Sequence, residues 1–376
     1  MTAQPDTRPS NPWPFWVSIG VLAVAVFAAS RGGWWLALIP LSTWGLFSVL
    51  DILIGNTSQN ADPETEDQAL FWHKAITLIW FPLQFCLVFG MIYYATQISQ
   101  LSVYEMFWLF FGVGVVSGTI GIVYAHELIH QRNKLERWLG DLLLASVLYS
   151  HFRSEHLLVH HTYVGTPRDL VTARYNEGFH QFFPRVLLRS PASAWRAEAA
   201  LLARRGDTPF HRDNPFLRYI ILQALMLLLA ALLGGWTGVI LFSIQAFVAI
   251  WQLELVNYVE HYGLTRKHLG GGKYESVYPR HSWNASPKVS NWLLINLQRH
   301  SNHHYKPDRR FPLLQSYGPS EAPQLPFGYP VMTMFAMIPP LFRRIMNPRV
   351  RKWHAMFYPE ITDWSAYKTG NTPMPR

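Results

Sequence analysis

The chain has 376 residues, 50% of them hydrophobic and 15% aromatic, with only 15% charged and a formal net charge of +9. A soluble domain carries about 25% charged residues, so this composition argues against one. The single cysteine, Cys86, excludes intrachain disulfides and any iron–sulfur or rubredoxin-type centre within the chain, since such centres need four cysteine ligands or nearly so. No nucleic-acid motif accompanies the positive charge.

Six spans, 14–30, 34–54, 75–96, 103–124, 216–235 and 238–257, are nearly uncharged. Most reach the roughly 20 apolar residues that a bilayer crossing needs. The first follows a Pro-rich leader with no small-residue cleavage site, which predicts an uncleaved first span rather than a signal peptide. The spans form three hairpins with short links at 31–33, 97–102 and 236–237, and long links at 55–74 and 125–215. Segment 125–215 holds twelve Lys and Arg and segment 258–376 holds sixteen, whereas the short links hold only Arg31. Basic residues accumulate on the cytoplasmic side. Both termini and the two basic segments are therefore expected to face the cytoplasm, where a positive cap can rest on anionic headgroups or attract an acidic protein.

The expected fold is all-α: one integral-membrane domain over 1–376, with six transmembrane helices and a cytoplasmic cap built from 125–215 and 258–376. The fourth span runs without a breaker into HELIH, and the sixth into NYVEHYG. Segments 139–161 and 288–304 also read as helical from their apolar periodicity. GlyGlyGly at 270–272 predicts a loop, 306–330 is Pro-rich and turn-like, and 331–346 is expected to be an interfacial helix. The aromatic and polar tail 355–376 is expected to pack over the cap.

Four short clusters hold nine of the sixteen histidines: His126 and His130; His156, His160 and His161; His261; and His300, His303 and His304. Imidazole is a common metal ligand, and nine are too many for one ion. The count predicts two ions side by side. On an α-helix, residues three or four apart share a face, which pairs His126 with His130, His156 with His160 and His300 with His303. The adjacent pairs His160–His161 and His303–His304 differ by about 100° around a helix, so each pair can split between two ions. Nine imidazoles overshoot the four ligands usual for zinc. Two irons with four or five ligands each, leaving room for oxygen, fit better.

Ligating histidines normally donate their second N–H to a carboxylate or carbonyl. Glu127, Glu155 and Glu260 adjoin cluster histidines, while Glu254 and Asn257 lie on the His261 face of the sixth span. Pairing of these acids with the cap arginines is the competing reading. Among the other histidines, His281 in PRHSWN invites a check. Stepping back from His126 gives a stripe of Ile122, Thr119, Val115 and Gly112. This stripe could admit an apolar chain toward the metals, or serve close helix packing. Trp44, Phe107, Phe110 and Phe111 could close such a tunnel or face lipid.

HELIH, EHLLVHH, NYVEHYGL and LQRHSNHH together resemble the membrane-bound alkane 1-monooxygenases, within the wider histidine-box group of desaturases and hydroxylases. HSWN at 281–284 and PQLPFGYP at 323–330 are similar too. The resemblance covers most of 50–355. It implies two irons bound by the nine histidines, O2 as co-substrate, and terminal hydroxylation of an alkane drawn from the bilayer. It also implies electrons from a rubredoxin, with a rubredoxin reductase and NAD(P)H upstream, and a bacterial inner-membrane location. Three positions depart from the family pattern: Gln131 stands for the usual Lys, Val159 for Gly and Asn302 for Asp. The alternatives on the same site are a desaturase, a fatty-acid hydroxylase or a decarboxylase acting on acyl chains or alkyl-aromatics. A metal carrier or receptor is the alternative without catalysis.

Overall fold

The computed structural model describes residues 10–362. The start of the leader and the tail beyond 362 lie outside the described residues. Five helices there are long and apolar enough to cross a membrane: α1 (Trp13–Arg31), α2 (Gly33–Ile54), α3 (Asp67–Ile98), α4 (Val103–Ile129) and α8 (Pro215–His261). Between α4 and α8 lie α5 (Lys134–Ala145), α6 (152–163) and α7 (Phe179–Ala203). After α8 come a small antiparallel hairpin, β1 (His268–Gly270) and β2 (Lys273–Tyr274), then α9 (Lys288–Leu293), α10 (His300–Tyr305), α11 (Tyr329–Ala336) and α12 (Pro339–Phe357). The protein is thus mostly helical. The glycine loop at 270–272 is the tip of its one small sheet among the described residues.

Helix α8 has 47 residues, about 70 Å if straight and more than twice the apolar thickness of a bilayer. It is not straight. Gly234 and Gly235 leave helical geometry, and Gly235 has a φ of 57°, a conformation that a side chain disfavours. The two arms correspond to the fifth and sixth expected spans. They turn so tightly that a Cβ on Gly238 would lie 2.2 Å from the Ala230 carbonyl oxygen.

The second arm packs along α4. Gly114 and Gly118 allow this approach: a Cβ on Gly114 would meet the Gln245 carbonyl at 2.6 Å, and one on Gly118 the Ala249 carbonyl at 2.8 Å. Small residues let backbones approach where lipid supplies no hydrophobic drive between helices. Above this contact α4 widens into a π-helical turn over Ser117–Gly121, where the Ile122 N–H bonds the Ser117 carbonyl five residues back.

Both helices expected over 139–161 and 288–304 are broken. Leu148 (φ 55°) separates α5 from α6, and Ile295 and Asn296 (φ 43° and 59°) separate α9 from α10. Non-glycine residues adopt this left-handed region only where the surroundings enforce it. The Tyr149 N–H bonds the Leu144 carbonyl, the Asn296 N–H bonds the Asn291 carbonyl, and the Asn296 side chain bonds the Phe311 carbonyl. Segment 331–346 is likewise two helices, α11 and the start of α12, which meet just before Pro339. Of the expected packing tail, Tyr358 is buried, with its hydroxyl bonded to Glu275 and 2.8 Å from His281.

Replacing Gly114 with Val should overpack the α4–α8 contact at a cost of about 1–3 kcal/mol. Gly20 has nothing within 4 Å of its Cβ position, so Gly20→Ala serves as the control. Thermal unfolding in detergent should show a lowered midpoint for the first and an unchanged one for the second.

Candidate metal centre

All nine cluster histidines converge. His126, His130, His156, His161 and His303 form one group, and His160, His261, His300 and His304 a second; within each group the ligand nitrogens lie within 4.8 Å of one another. Four backbone segments supply them. His126 ends α4 and His130 caps it, His156, His160 and His161 lie on α6, His261 ends α8, and the last three lie on α10.

The adjacent pairs are divided between the groups: His160 turns one way and His161 the other, as do His303 and His304. Two of the expected same-face pairs are not formed. His156 groups with His161 instead of His160, because Glu155–His160 is π-helical and the His161 N–H bonds the His156 carbonyl five residues back. His300 groups with His304, four residues on, instead of His303.

The Nε2 atoms of His156 lie 3.0 Å from those of His130 and His161, and His303 is 3.1 Å from His161. In the second group His300 lies 3.1 Å from His261 and 3.0 Å from His304. Neutral imidazole carries one N–H, so these inward nitrogens cannot all satisfy one another. The inward Nε2 of His160 is buried with no hydrogen-bond partner among the described residues. A cation within each ring of lone pairs resolves the conflict. Two nitrogens about 2.1 Å from a metal are about 3.0 Å apart at right angles and about 3.4 Å apart in a tetrahedron. The observed spacing matches right-angled coordination, with directions to spare. Burial, reinforced by the neighbouring imidazoles, holds His156, His161, His300, His303 and His304 well below their ordinary pKa, and so neutral and ready to ligate.

Only one of the five expected supporting residues approaches a histidine. Glu260 Oε2 is 3.3 Å from Nε2 of His300, on the inward side of that ring. Glu254 instead accepts from the Tyr149 hydroxyl at 2.9 Å and from Asn257 at 3.2 Å. Glu127 turns away from the centre, accepting from Gln131 at 3.0 Å and from the Phe311 N–H at 3.3 Å. Glu155 is buried with neither oxygen hydrogen-bonded among the described residues, and burial pushes its carboxyl well above the usual range.

The partners that do hold histidines are different ones. Asp169 lies 2.9 Å from Nδ1 of His160 and accepts further bonds from Thr172 and the Val171 N–H. Burial opposes its ionisation, yet His160 and these donors outweigh that and hold it below the ordinary carboxylate pKa. The His281 carbonyl stands 3.4 Å from Nδ1 of His261. His281 itself is no ligand: its Nδ1 accepts from the Tyr278 N–H, and its Nε2 faces Glu275 and Tyr358. Asp169 sits nine residues beyond His160 in a loop, outside any helical spacing rule. Asn302 accepts from Arg309 at 2.9 Å and donates to the Tyr317 hydroxyl at 2.7 Å.

A small cavity of about 20 Å³ lies beside both groups, reaching His126, His156 and His300. Its apolar walls include Gly118, Ile122, Leu253 and Val256, and Asn257 and Glu260 are its polar members. Of the expected tunnel stripe only Ile122 lines it. Gly112 packs on Ile39, and Val115 and Thr119 are buried elsewhere. The π-helical turn supplies the reason, since its extra residue rotates everything before it and brings Gly118 into the place counted for Thr119. Trp44 donates to Gln252 at 3.1 Å and meets Phe111 edge-on, but neither lines the cavity. Phe107 is exposed on the outer face, while Phe110 is buried in the core.

A helical membrane protein that gathers spaced histidines from several segments around one centre is of the histidine-box class, and the fatty acid desaturase family model matches residues 102–336. The chain is 38% identical to alkane 1-monooxygenase 2 of Pseudomonas aeruginosa, covering 88% of each chain. It is 35% identical to alkane 1-monooxygenase 2 of Alcanivorax borkumensis, covering 90% of each. It is 26% identical to the xylene/toluene monooxygenase hydroxylase component of Pseudomonas putida, covering 89% of this chain and 87% of that one. The chain belongs to the alkane 1-monooxygenase family, an enzyme family within that histidine-box class.

Supporting groups around ligating histidines are worth about 10–100-fold in metal affinity. Asp169→Ala should therefore weaken metal retention by about that factor, read by metal titration of the purified protein. Asp213→Asn, remote from both groups, should not.

Proposed function

We propose that this protein hydroxylates the terminal carbon of medium- and long-chain alkanes, using O2 and two irons, with electrons from a rubredoxin. The observation that carries the reading is a small, mostly apolar cavity lined by histidines of both groups. A methyl end that parts those walls would meet both metal positions at once. Membership of the alkane 1-monooxygenase family supports the substrate class.

One iron would be held by the group of five histidines and the other by the group of four. When bound, the irons supply O2 activation and oxidation of the C–H bond. The balance is one alkane, one O2, two electrons and two protons in, and one primary alcohol and one water out. The chain's own part is positional. Buried imidazoles hold the ions without adding charge, Asp169 orients His160, and Ile122, Leu253 and Val256 keep bulk water from the chain end. Glu260 and Asn257 are the polar groups placed to bind a hydroxyl formed beside His300. With Cys86 the sole cysteine, the electrons must come from a separate redox protein.

We also infer that the two arms of α8 cross separately, giving six crossings in one membrane domain with a cap. The Lys and Arg excess in the connecting segments supports a cytoplasmic cap and termini, and the bacterial relatives support an inner-membrane location.

Membranes supplied with iron, rubredoxin, its reductase and NAD(P)H should convert octane to 1-octanol, with one atom of labelled O2 in the product. His261→Ala and His303→Ala should each lower the rate by more than about 100-fold, beyond the usual effect of a supporting group. A double-bonded product without labelled oxygen would overturn the hydroxylase reading in favour of desaturation.

A further inference from the structure

Away from the metal centre, two adjoining cavities of about 630 and 200 Å³ lie where α5, the 203–214 loop and the start of α8 meet. They share Trp138 and Arg218. Six cations line them: Lys134, Arg137, Arg153, Arg205, Arg212 and Arg218. Two acids face these cations. Asp141 is buried and takes Arg153 at 2.6 Å and Arg218 at 3.0 Å, while Asp213 lies 3.7 Å from His211. Six cations against two acids leave an excess of four positive charges around a concave site. Arg218 stands over the Trp138 ring at 5.1 Å, and its Nε–H is buried without a hydrogen-bond partner among the described residues.

The floor of the larger cavity is apolar. Leu217 and Ile221 line it and are 55% and 48% exposed, and the same helical stripe continues through exposed Leu225, Leu228 and Leu232 down the first arm of α8. Steps of three and four residues keep these five on one face. If α8 crosses the bilayer, as read above, that face meets acyl chains and the cationic cavity sits at headgroup level. Half-exposed Trp138 is the residue type that concentrates at this boundary.

We propose that this site binds one anionic phospholipid, with its phosphate held by Arg205, Arg212 and Arg218 and an acyl chain laid along the Leu217–Leu232 stripe. A soluble acidic protein would satisfy the charges but not the apolar stripe, which leads away from the cap. Basic pockets beside membrane helices commonly take such headgroups.

Native mass spectrometry of the full chain, exchanged into detergent with added phosphatidylglycerol or phosphatidylcholine, tests the proposal. One phosphatidylglycerol should stay bound, phosphatidylcholine should not, and inorganic phosphate should not displace the lipid. Arg205 and Arg212 are exposed and lie between helices, so the double variant Arg205→Gln, Arg212→Gln should fold normally. It should weaken phosphatidylglycerol binding by about 30-fold, from the two charges removed. The control Arg344→Gln, Lys352→Gln should leave binding unchanged. Equal retention of both lipids, displacement by free phosphate, or unchanged binding in the Arg205/Arg212 variant would overturn the site. So would a raised KM for reduced rubredoxin in that variant with lipid retention intact, since the surface would then be a protein dock. Alkane hydroxylation is read separately, so failure of the lipid site leaves the reading of the metal centre standing.

Discussion

Everything in this molecule depends on turning the ring nitrogens of nine imidazoles toward one largely buried centre. Their inward lone pairs crowd one another and together attract a cation. An unpaired buried polar group costs about 1–3 kcal/mol, so such a cluster is tolerable only as a metal site. The surrounding protein must hold the rings without softness. It does so with four backbone segments, the Asp169 carboxylate on His160 and the His281 carbonyl beside His261. Irregular backbone does much of this aiming. Two π-helical turns and two left-handed turns adjoin the histidine segments, and each redirects a helix that would otherwise run past the centre.

The same irregularities mark where sequence reasoning stops. Hydrophobic runs announced the membrane helices because about 20 apolar residues have few other uses. The division of His160 from His161 and of His303 from His304 between two groups was legible too, since adjacent residues diverge on any helix. Which histidine shares a face with which was not. That needs the local helical period, and α6 departs from 3.6 residues per turn just where His156 and His161 must meet. The tunnel stripe on α4 failed for the same reason: a single π-helical turn exchanged Thr119 for Gly118. Asp169 was invisible because it reaches His160 through a loop. Glu127 and Glu254 misled because adjacency to a histidine, or a place on its helical face, says nothing about what a carboxylate touches.

Close helix packing connects the membrane part to the chemistry. Gly114 and Gly118 let α4 lie against the second arm of α8, and these two helices carry His126 and His261 into separate groups. The cavity lies between them, so the contact that stabilises the bundle also bounds the cavity. Gly118 belongs to both, touching α8 and lining the cavity. Two of the departures from the family pattern, Gln131 and Asn302, make hydrogen bonds that leave the ligand groups intact. Gln131 ties back to Glu127, and Asn302 bridges Arg309 and Tyr317.

The central claim is that nine histidines hold two irons, five on one and four on the other. X-ray absorption at the iron edge of the purified protein, with metal counted on the same sample, tests it most directly. The account predicts two irons per chain, a first shell averaging about 4.5 imidazole nitrogens at about 2.1 Å, and no sulfur. One iron per chain, or a first shell dominated by carboxylate oxygen, would contradict it.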